Sequence, residues 1–215
     1  MTAIGVLGTG IVGRTIGTRL AALGHDVTLG ARSSDNEAAA AWAAETGGRH
    51  GTFADAAAAG ELLLNCTNGE ASVDALRTVD PGDLAGKTLI DVANAFHIVD
   101  GRVELVESNT DSLAERIQRA CPDARVVKAL NTVNAAVMVD PSTVAGDHVV
   151  FVCGDDDAKA QTRDLLRQFG WPDERVLDLG GIVAARAVEM YLPLWLTLMR
   201  TLGTPSFNIA IQRGA

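Results

Sequence analysis

The sequence predicts an α/β protein with a mostly parallel, doubly wound sheet and a small C-terminal α+β domain. Three observations predict it. Short apolar runs alternate with helical stretches along most of the chain, the mark of parallel strands joined by crossover helices. The first apolar run ends in a glycine-rich turn that opens a helix. At 47% hydrophobic over 215 residues, the chain can bury a core and lies far from the composition of disorder.

The elements follow in order. Ala3–Leu7 reads as a strand. Residues 11–23 read as a helix, since Ile16, Leu20 and Leu23 recur at helical spacing and Gly24 stops it. Residues 26–29 form a second strand. Residues 35–46 form an alanine-rich helix capped by Asp35 and closed by Gly47-Gly48. Phe53–Ala59 is a short helix before the strand Leu62–Asn65, and residues 70–78 are helical. Residues 88–92 are a strand, followed by a loop through Gly101. Ser112 and Glu115 have capping-box spacing, so a helix opens there and ends before Pro122. Residues 125–130 and 148–153 are strands, 155–169 a charged amphipathic helix, and 176–179 a last short strand. Ile182–Leu202 is a long apolar helix kinked by Pro193, and residues 207–211 add an edge strand. The character of the chain changes at Gly154, which divides a domain of residues 1–154 from a smaller one of residues 155–215.

Composition narrows the function. With 18 basic and 27 acidic side chains the formal charge is −9, which argues against a nucleic-acid or anionic-membrane partner. A small anionic ligand is compatible only if the chain supplies a local positive patch. Cys66, Cys121 and Cys153 are scattered and lack metal-ligand spacing, so they read as reduced, buried thiols of a cytoplasmic protein with no metal site. The opening residues run straight into a strand without the basic stretch of a leader. The longest apolar window, residues 182–199, is interrupted by Arg186, Glu189 and Pro193, so no membrane partner is expected.

The turn after the first strand reads Gly8-Thr9-Gly10-Ile11-Val12-Gly13. In a strand–turn–helix setting the three glycines have separate roles. Gly8 makes the tight turn, Gly10 admits a pyrophosphate to the backbone, and Gly13 allows close helix–strand packing. The helix N-terminus then directs N–H groups and partial positive charge at the phosphates. This is a Rossmann-type dinucleotide site. At the tip of the second strand an NAD site carries a carboxylate for the ribose hydroxyls. Here the tip reads Ala31-Arg32-Ser33-Ser34. Arg32 can make bidentate hydrogen bonds to a 2′-phosphate, Ser33 and Ser34 add donors, and Thr9 lies nearby. The reading is NADP, and Arg32 is the positive patch that the acidic composition demands.

Beyond this turn, Val127-Lys128-Ala129-Leu130-Asn131-Thr132, Val152-Cys153-Gly154-Asp155-Asp156 and the tail Glu189-Met190-Tyr191-Leu192-Pro193-Leu194 resemble the NADPH-dependent F420 reductase family, in particular its actinobacterial branch. The resemblance spans nearly the whole chain. It implies a cytoplasmic homodimer, a Rossmann domain with a small C-terminal domain, and hydride transfer between NADP(H) and coenzyme F420 in the cleft between them. Two stretches depart from the archaeal members. Asn131-Thr132-Val133-Asn134 stands where they carry His-Thr-Ile-Pro, and Cys66-Thr67-Asn68 stands where they carry a proline.

Ligands in such sheets lie beyond the carboxyl ends of the strands, which points to Thr67, Asn68, Asn94, Asn131 and Thr132 as groups for the nicotinamide carboxamide or the deazaflavin edge. For Asn68 and Asn94 a turn or helix-cap role has equal weight. No proton-transfer constellation is evident. Tyr191 has no lysine four positions on, and His25, His50, His97 and His148 have no paired spacing; His97 and His148 read as loop residues. Lys128 lies inside a strand pattern and reads as structural. The cofactors carry such a reaction while the protein orients them, so no catalytic side chain is assigned. The apolar helix Ile182–Leu202 is read as packing on a second copy. Competing readings are an NADPH-dependent reductase of a flavin or of a small carbonyl or imine, and a non-catalytic NADP(H)-binding protein. Reductases of imines and hydroxyacids resemble the N-terminal half but carry a longer helical second domain.

Overall fold

In the computed structural model, which describes residues 1–214, β1 (Ala3–Leu7) lies inside the sheet with helices on both sides. From it the chain runs through α1 (Ile11–Ala22), β2 (Asp26–Ala31), α2 (Glu37–Thr46), β3 (Arg49–Thr52), α3 (Phe53–Ala59) and β4 (Leu62–Asn65). Then come α4 (Ser72–Arg77), α5 (Pro81–Leu84), β5 (Thr88–Asp91), β6 (Phe96–Val99), β7 (Arg102–Leu105), α6 (Leu113–Ala120) and β8 (Arg125–Ala129). The last part holds α7 (Ala135–Val139), β9 (Val150–Gly154), α8 (Asp156–Phe169), β10 (Val176–Asp178), α9 (Ala185–Glu189) and α10 (Leu192–Leu202).

Eight strands form one sheet in the order β10-β9-β8-β5-β4-β1-β2-β3. The six from β3 to β8 are parallel, β9 runs antiparallel to β8, and β10 is parallel to β9. The strands β1, β4 and β5 are almost wholly buried, as parallel strands covered on both faces must be. One apolar layer gathers Ile16, Leu20, Trp42, Leu166 and Phe169. The other gathers Leu63, Leu76, Leu89, Leu113 and Ile117. The chain goes outward from β1 to β2 and β3, then returns to place β4 on the other side of β1. That reversal opens a crevice at the carboxyl ends of β1 and β4, the place where such sheets bind ligands.

The structure departs from the sequence reading at several points. The first residue of α2 is Glu37, and its cap is Asn36, whose side chain accepts the Ala39 N–H at 2.9 Å. Asp35 does not cap it; its carboxylate takes the Ser33 hydroxyl instead. Residues 49–52 form the edge strand β3, which is polar enough to lack an apolar pattern. The expected loop through Gly101 is the hairpin β6–β7, exposed along much of its length. It therefore puts His97 on a strand, paired with Glu70 at 2.7 Å.

Ile182–Leu202 is not continuous. It comprises a 3₁₀ turn, α9 and α10, broken at Met190-Tyr191. Pro193 is the cause: it has no N–H to give to Glu189 and its ring crowds that carbonyl. By length and composition alone this run could cross a membrane, and 22% of its most apolar 18-residue window is buried here. Residues 207–211 form no strand. Val149 N–H does reach Ile209 O at 3.0 Å. The Val149 carbonyl, however, is taken by the Asn208 side chain at 2.8 Å, which stops the ladder. Beyond Gly154, α8 packs on the sheet and β10 is still part of it, and the chain leaves it at Gly180-Gly181.

Candidate functional site

The glycine turn is built as the sequence predicts. Gly8 has φ +119°, and a Cβ there would lie 2.4 Å from the Cys66 carbonyl oxygen. A Cβ on Gly13 would lie 2.0 Å from Gly8 O. Both places are closed by backbone. A Cβ on Gly10 would meet nothing within 4 Å, so the middle glycine faces open space. Ile11 and Val12 open α1, whose first turn carries no acidic side chain to oppose an anion. Arg14 Nη1 donates to Thr9 O at 2.6 Å and ties the turn to the helix.

Gly8, Thr9 and Gly10 form one wall of a cleft of about 1200 Å³; Arg32 and Ser33 stand at the tip of β2, and Phe53 and Thr78 lie among its other walls. Arg32 is exposed and, among the described residues, has no ion-pair or hydrogen-bond partner. Ser33 is engaged by Asp35, and Ser34, on the same turn, does not line the cleft. The positive potential here therefore comes from Arg32 and the N-terminus of α1, with Asp35 and Asp74 also on the walls.

The cleft runs on into a smaller pocket of about 310 Å³, the two sharing Cys66, Thr67 and Asn68. Its other walls include Asn94, Asn131, Met138, Leu192 and Trp195, and among the described residues no charged side chain lines it. The amides expected here are placed at the pocket but are largely engaged with each other. Asn94 Nδ2 donates to Asn131 O at 2.8 Å, and Asn131 Nδ2 donates to Asn94 Oδ1 and to Val188 O, both at 3.0 Å. The Thr67 hydroxyl donates to Asn65 Oδ1 at 2.7 Å. Asn68 caps the following turn by accepting Glu70 N–H. Thr132 is 3% exposed and lines neither cavity. The Cys66 thiol is pushed far up by burial and then by Asp91, and so stays protonated.

Behind the pocket lies an ionic group that sequence reasoning only half saw. Lys128 Nζ pairs with Asp91 at 2.8 Å and Glu189 at 2.9 Å, and donates to Ala93 O. Glu189 also accepts Leu113 N–H at 2.8 Å and Ala114 N–H at 3.2 Å, closing the N-terminus of α6. Burial alone would lower the Lys128 ammonium, but Asp91 and Glu189 outweigh it and raise it. Burial raises the Glu189 carboxyl against the pull of Lys128. Lys128 is thus structural, as read from its strand setting. Asp91 and Glu189 were missed, although each stands in an apolar run, where a charge needs a partner.

The cleft fits a dinucleotide phosphate on three counts: the empty space over Gly10, the helix N-terminus without acids, and the uncommitted guanidinium at the β2 tip. Comparison with known proteins agrees. A family profile described as NADP oxidoreductase, coenzyme F420-dependent, matches residues 3–95. A crystal structure from Arthrobacter sp. FB24, provisionally described as an F420-dependent NADP-reductase, is 46% identical, with a TM-score of 0.93 over 99% of this chain and 100% of that one. F420-dependent NADP reductase of Methanocaldococcus jannaschii is 28% identical over 203 residues, 89% of each chain. Metalloreductase STEAP3 of Rattus norvegicus is 30% identical over 204 residues, 89% of this chain and 37% of that one, so this chain spans about a third of its length.

Proposed function

The chain belongs to the coenzyme F420-dependent NADP oxidoreductase family, and from that premise we propose that it is an oxidoreductase transferring a hydride between NADP(H) and the deazaflavin coenzyme F420. The observation that carries the reading is one continuous hollow. It begins at the uncommitted Arg32, passes the open face of Gly10, and ends in an uncharged pocket walled by Asn94, Asn131 and Trp195.

In this reading Gly8, Thr9, Gly10 and the N–H groups at Ile11, Val12 and Gly13 hold the pyrophosphate. Arg32 holds the 2′-phosphate, with Ser33 and Ser34 beside it. Thr67 and the Asn94–Asn131 pair shape the place where the two rings meet, with Thr132 packed behind. When bound, the two cofactors supply the whole redox couple: one gives the hydride and the other takes it. The protein orients the faces and keeps water out. A pocket free of charged side chains suits that role, since no side chain there competes for a proton.

The division at Gly154 belongs to the same proposal, with residues 1–154 binding NADP(H) and residues 155–215 supplying the acceptor side and the contact with a second copy. Leu194 and Leu202 on α10, exposed in the single chain, support a homodimer in this reading. The likeness to a metalloreductase keeps a flavin as the second acceptor to test. The assay mixes the protein with NADPH and, in parallel, F420 or FMN. Loss of the deazaflavin's visible absorbance is the expected result. Turnover with FMN alone would move the activity to a flavin reductase, and NADPH binding with neither turnover would leave a binding protein.

A further inference from the structure

The segment after α10 does not form the expected strand, yet it is fixed at several points, and two of them, at Asn134 and Trp195, are on residues that line the ring pocket. Gly203 turns the chain through φ +68°. Asn134, a pocket-lining residue, donates through Nδ2 to Pro205 O. Asn208 Nδ2 donates to Val149 O at 2.8 Å and to His148 Nδ1 at 2.9 Å. His148 is held in one tautomer by its neighbours: its Nε2 faces the carbonyls of Pro141 and Val144, so Nε2 carries the hydrogen and Nδ1 accepts. Between these ties Phe207 stacks on Trp195, with ring centroids 5.5 Å apart and planes at 24°.

The three tryptophans differ in how they are held. Trp42 Nε1 donates to Thr18 Oγ1 at 3.0 Å, and Trp171 Nε1 donates to Met138 O at 3.0 Å. Trp195 Nε1 is buried and has no partner among the described residues. An indole pinned by a hydrogen bond needs no second ring to define its pose. One without that bond depends on what stacks against it. Trp195 lines the ring pocket, and Phe207 is the ring stacked on it.

We propose that residues 204–209 act as a strap that positions Trp195, making Phe207, supported by Asn208, a specificity-determining positioning residue for the planar acceptor. The inference rests on the reading of this pocket as the acceptor site. Phe207 touches no reacting atom; it acts through Trp195. Losing the stack lets the indole swing, and the pocket then loses its fit to a flat ring. The phosphate cleft shares no residue with the strap, so the phosphate contacts that anchor NADPH are untouched.

The test has two arms. In the first, acrylamide quenches tryptophan fluorescence in the whole protein without any acceptor. Trp42 and Trp171 are 3% and 1% exposed, so the quenchable signal is that of Trp195. Phe207→Ala should raise its quenching, Asn208→Ala should raise it less, and Phe207→Tyr should restore the wild-type value. In the second, whichever acceptor the wild type reduces is titrated. Phe207→Ala should raise its KM about threefold to tenfold, the range of one aromatic stack. The NADPH dissociation constant should stay the same and Phe207→Tyr should recover the KM. Unchanged quenching in Phe207→Ala overturns the strap, whatever the acceptor. Equal losses for NADPH and acceptor also overturn it, since they would report general damage. If wild type reduces neither F420 nor FMN, the functional reading fails and the quenching arm alone decides the strap.

Discussion

The groups aimed at the phosphates, the Gly8–Gly10 turn and Arg32, come from one β1–α1–β2 unit, while the ring end draws Thr67 from after β4, Asn94 from after β5, Asn131 from after β8 and Trp195 from α10. The two ends also reach unusual backbone by different routes. At the phosphate end the positive φ falls on Gly8, which adopts it without penalty. At the ring end it falls on Leu130, at φ +64°, a conformation that costs a side chain about 1–2 kcal/mol. The first end is a property of a short peptide. The second exists only because distant parts hold it: Asn131, the next residue, is clamped to Asn94 and to the Val188 carbonyl, and beneath them Lys128 ties β5, β8 and α9 together.

The sharpest way to break that contrast is to remove Lys128. Lys128→Met leaves Asp91 and Glu189 buried without their cation, and breaking such a group costs about 3–5 kcal/mol. The sign with pH follows from the carboxyls. In the wild type burial already raises the Glu189 carboxyl against the pull of Lys128, and without that cation it rises further above its unfolded value. The penalty of the ionised Glu189 is then largest above that raised value and fades as acid protonates it. Urea unfolding of Lys128→Met across a pH series should therefore show a deficit that shrinks on acidification. A pH-independent deficit would mean that the ammonium matters by packing alone.

The same contrast explains what could be read without the structure. β1, β4, β5 and β8 are apolar runs flanked by turn residues, and their positions follow from the sequence to within a residue or two. The glycine turn and Arg32 are local and equally readable. Ser112 is visible as a cap because its partner Glu115 is three residues away. β3 is missed because Arg49, His50, Gly51 and Thr52 carry no pattern, and it exists only because β2 offers an edge. The hairpin β6–β7, by contrast, does carry a local signal, since Arg102-Val103-Glu104-Leu105 alternates polar and apolar residues beyond an Asp100-Gly101 turn. Asn94 and Asn131 are recognised as strand-end amides, but their mutual hydrogen bonds span 37 residues and cannot be read from spacing. The bond between Asn208 and the Val149 carbonyl, which prevents the last strand, spans 59 residues.

At the phosphate end the largest side-chain effect is expected from Arg32. Among the described residues its guanidinium has no partner, so Arg32→Ala should leave thermal stability alone. Loss of one charge-assisted contact should weaken NADPH binding by about 1.5–3 kcal/mol and NADH binding hardly at all. Titration calorimetry with both nucleotides measures the difference. Equal losses would remove the 2′-phosphate from Arg32 and shift the site towards NAD.

Gly10 gives the smallest effect and the cleanest separation of folding from binding. Its backbone, at φ −71°, is one any residue adopts, and a Cβ there meets no protein atom within 4 Å. Gly10→Ala should fold as well as the wild type, or up to about 0.4–1 kcal/mol better, because the unfolded chain loses freedom. The added methyl instead occupies the space over which a pyrophosphate would lie, and crowding of that size weakens binding by roughly 1 kcal/mol. Gly8→Ala is the matched control. Its Cβ would sit 2.4 Å from Cys66 O at φ +119°, so stability and binding should fall together. A melting curve and an NADPH titration on the two variants distinguish the cases. If Gly10→Ala binds NADPH as tightly as the wild type does, the phosphates do not pass over Gly10. The open space above the turn would then serve another part of the ligand, even if the rest of the unit keeps its geometry.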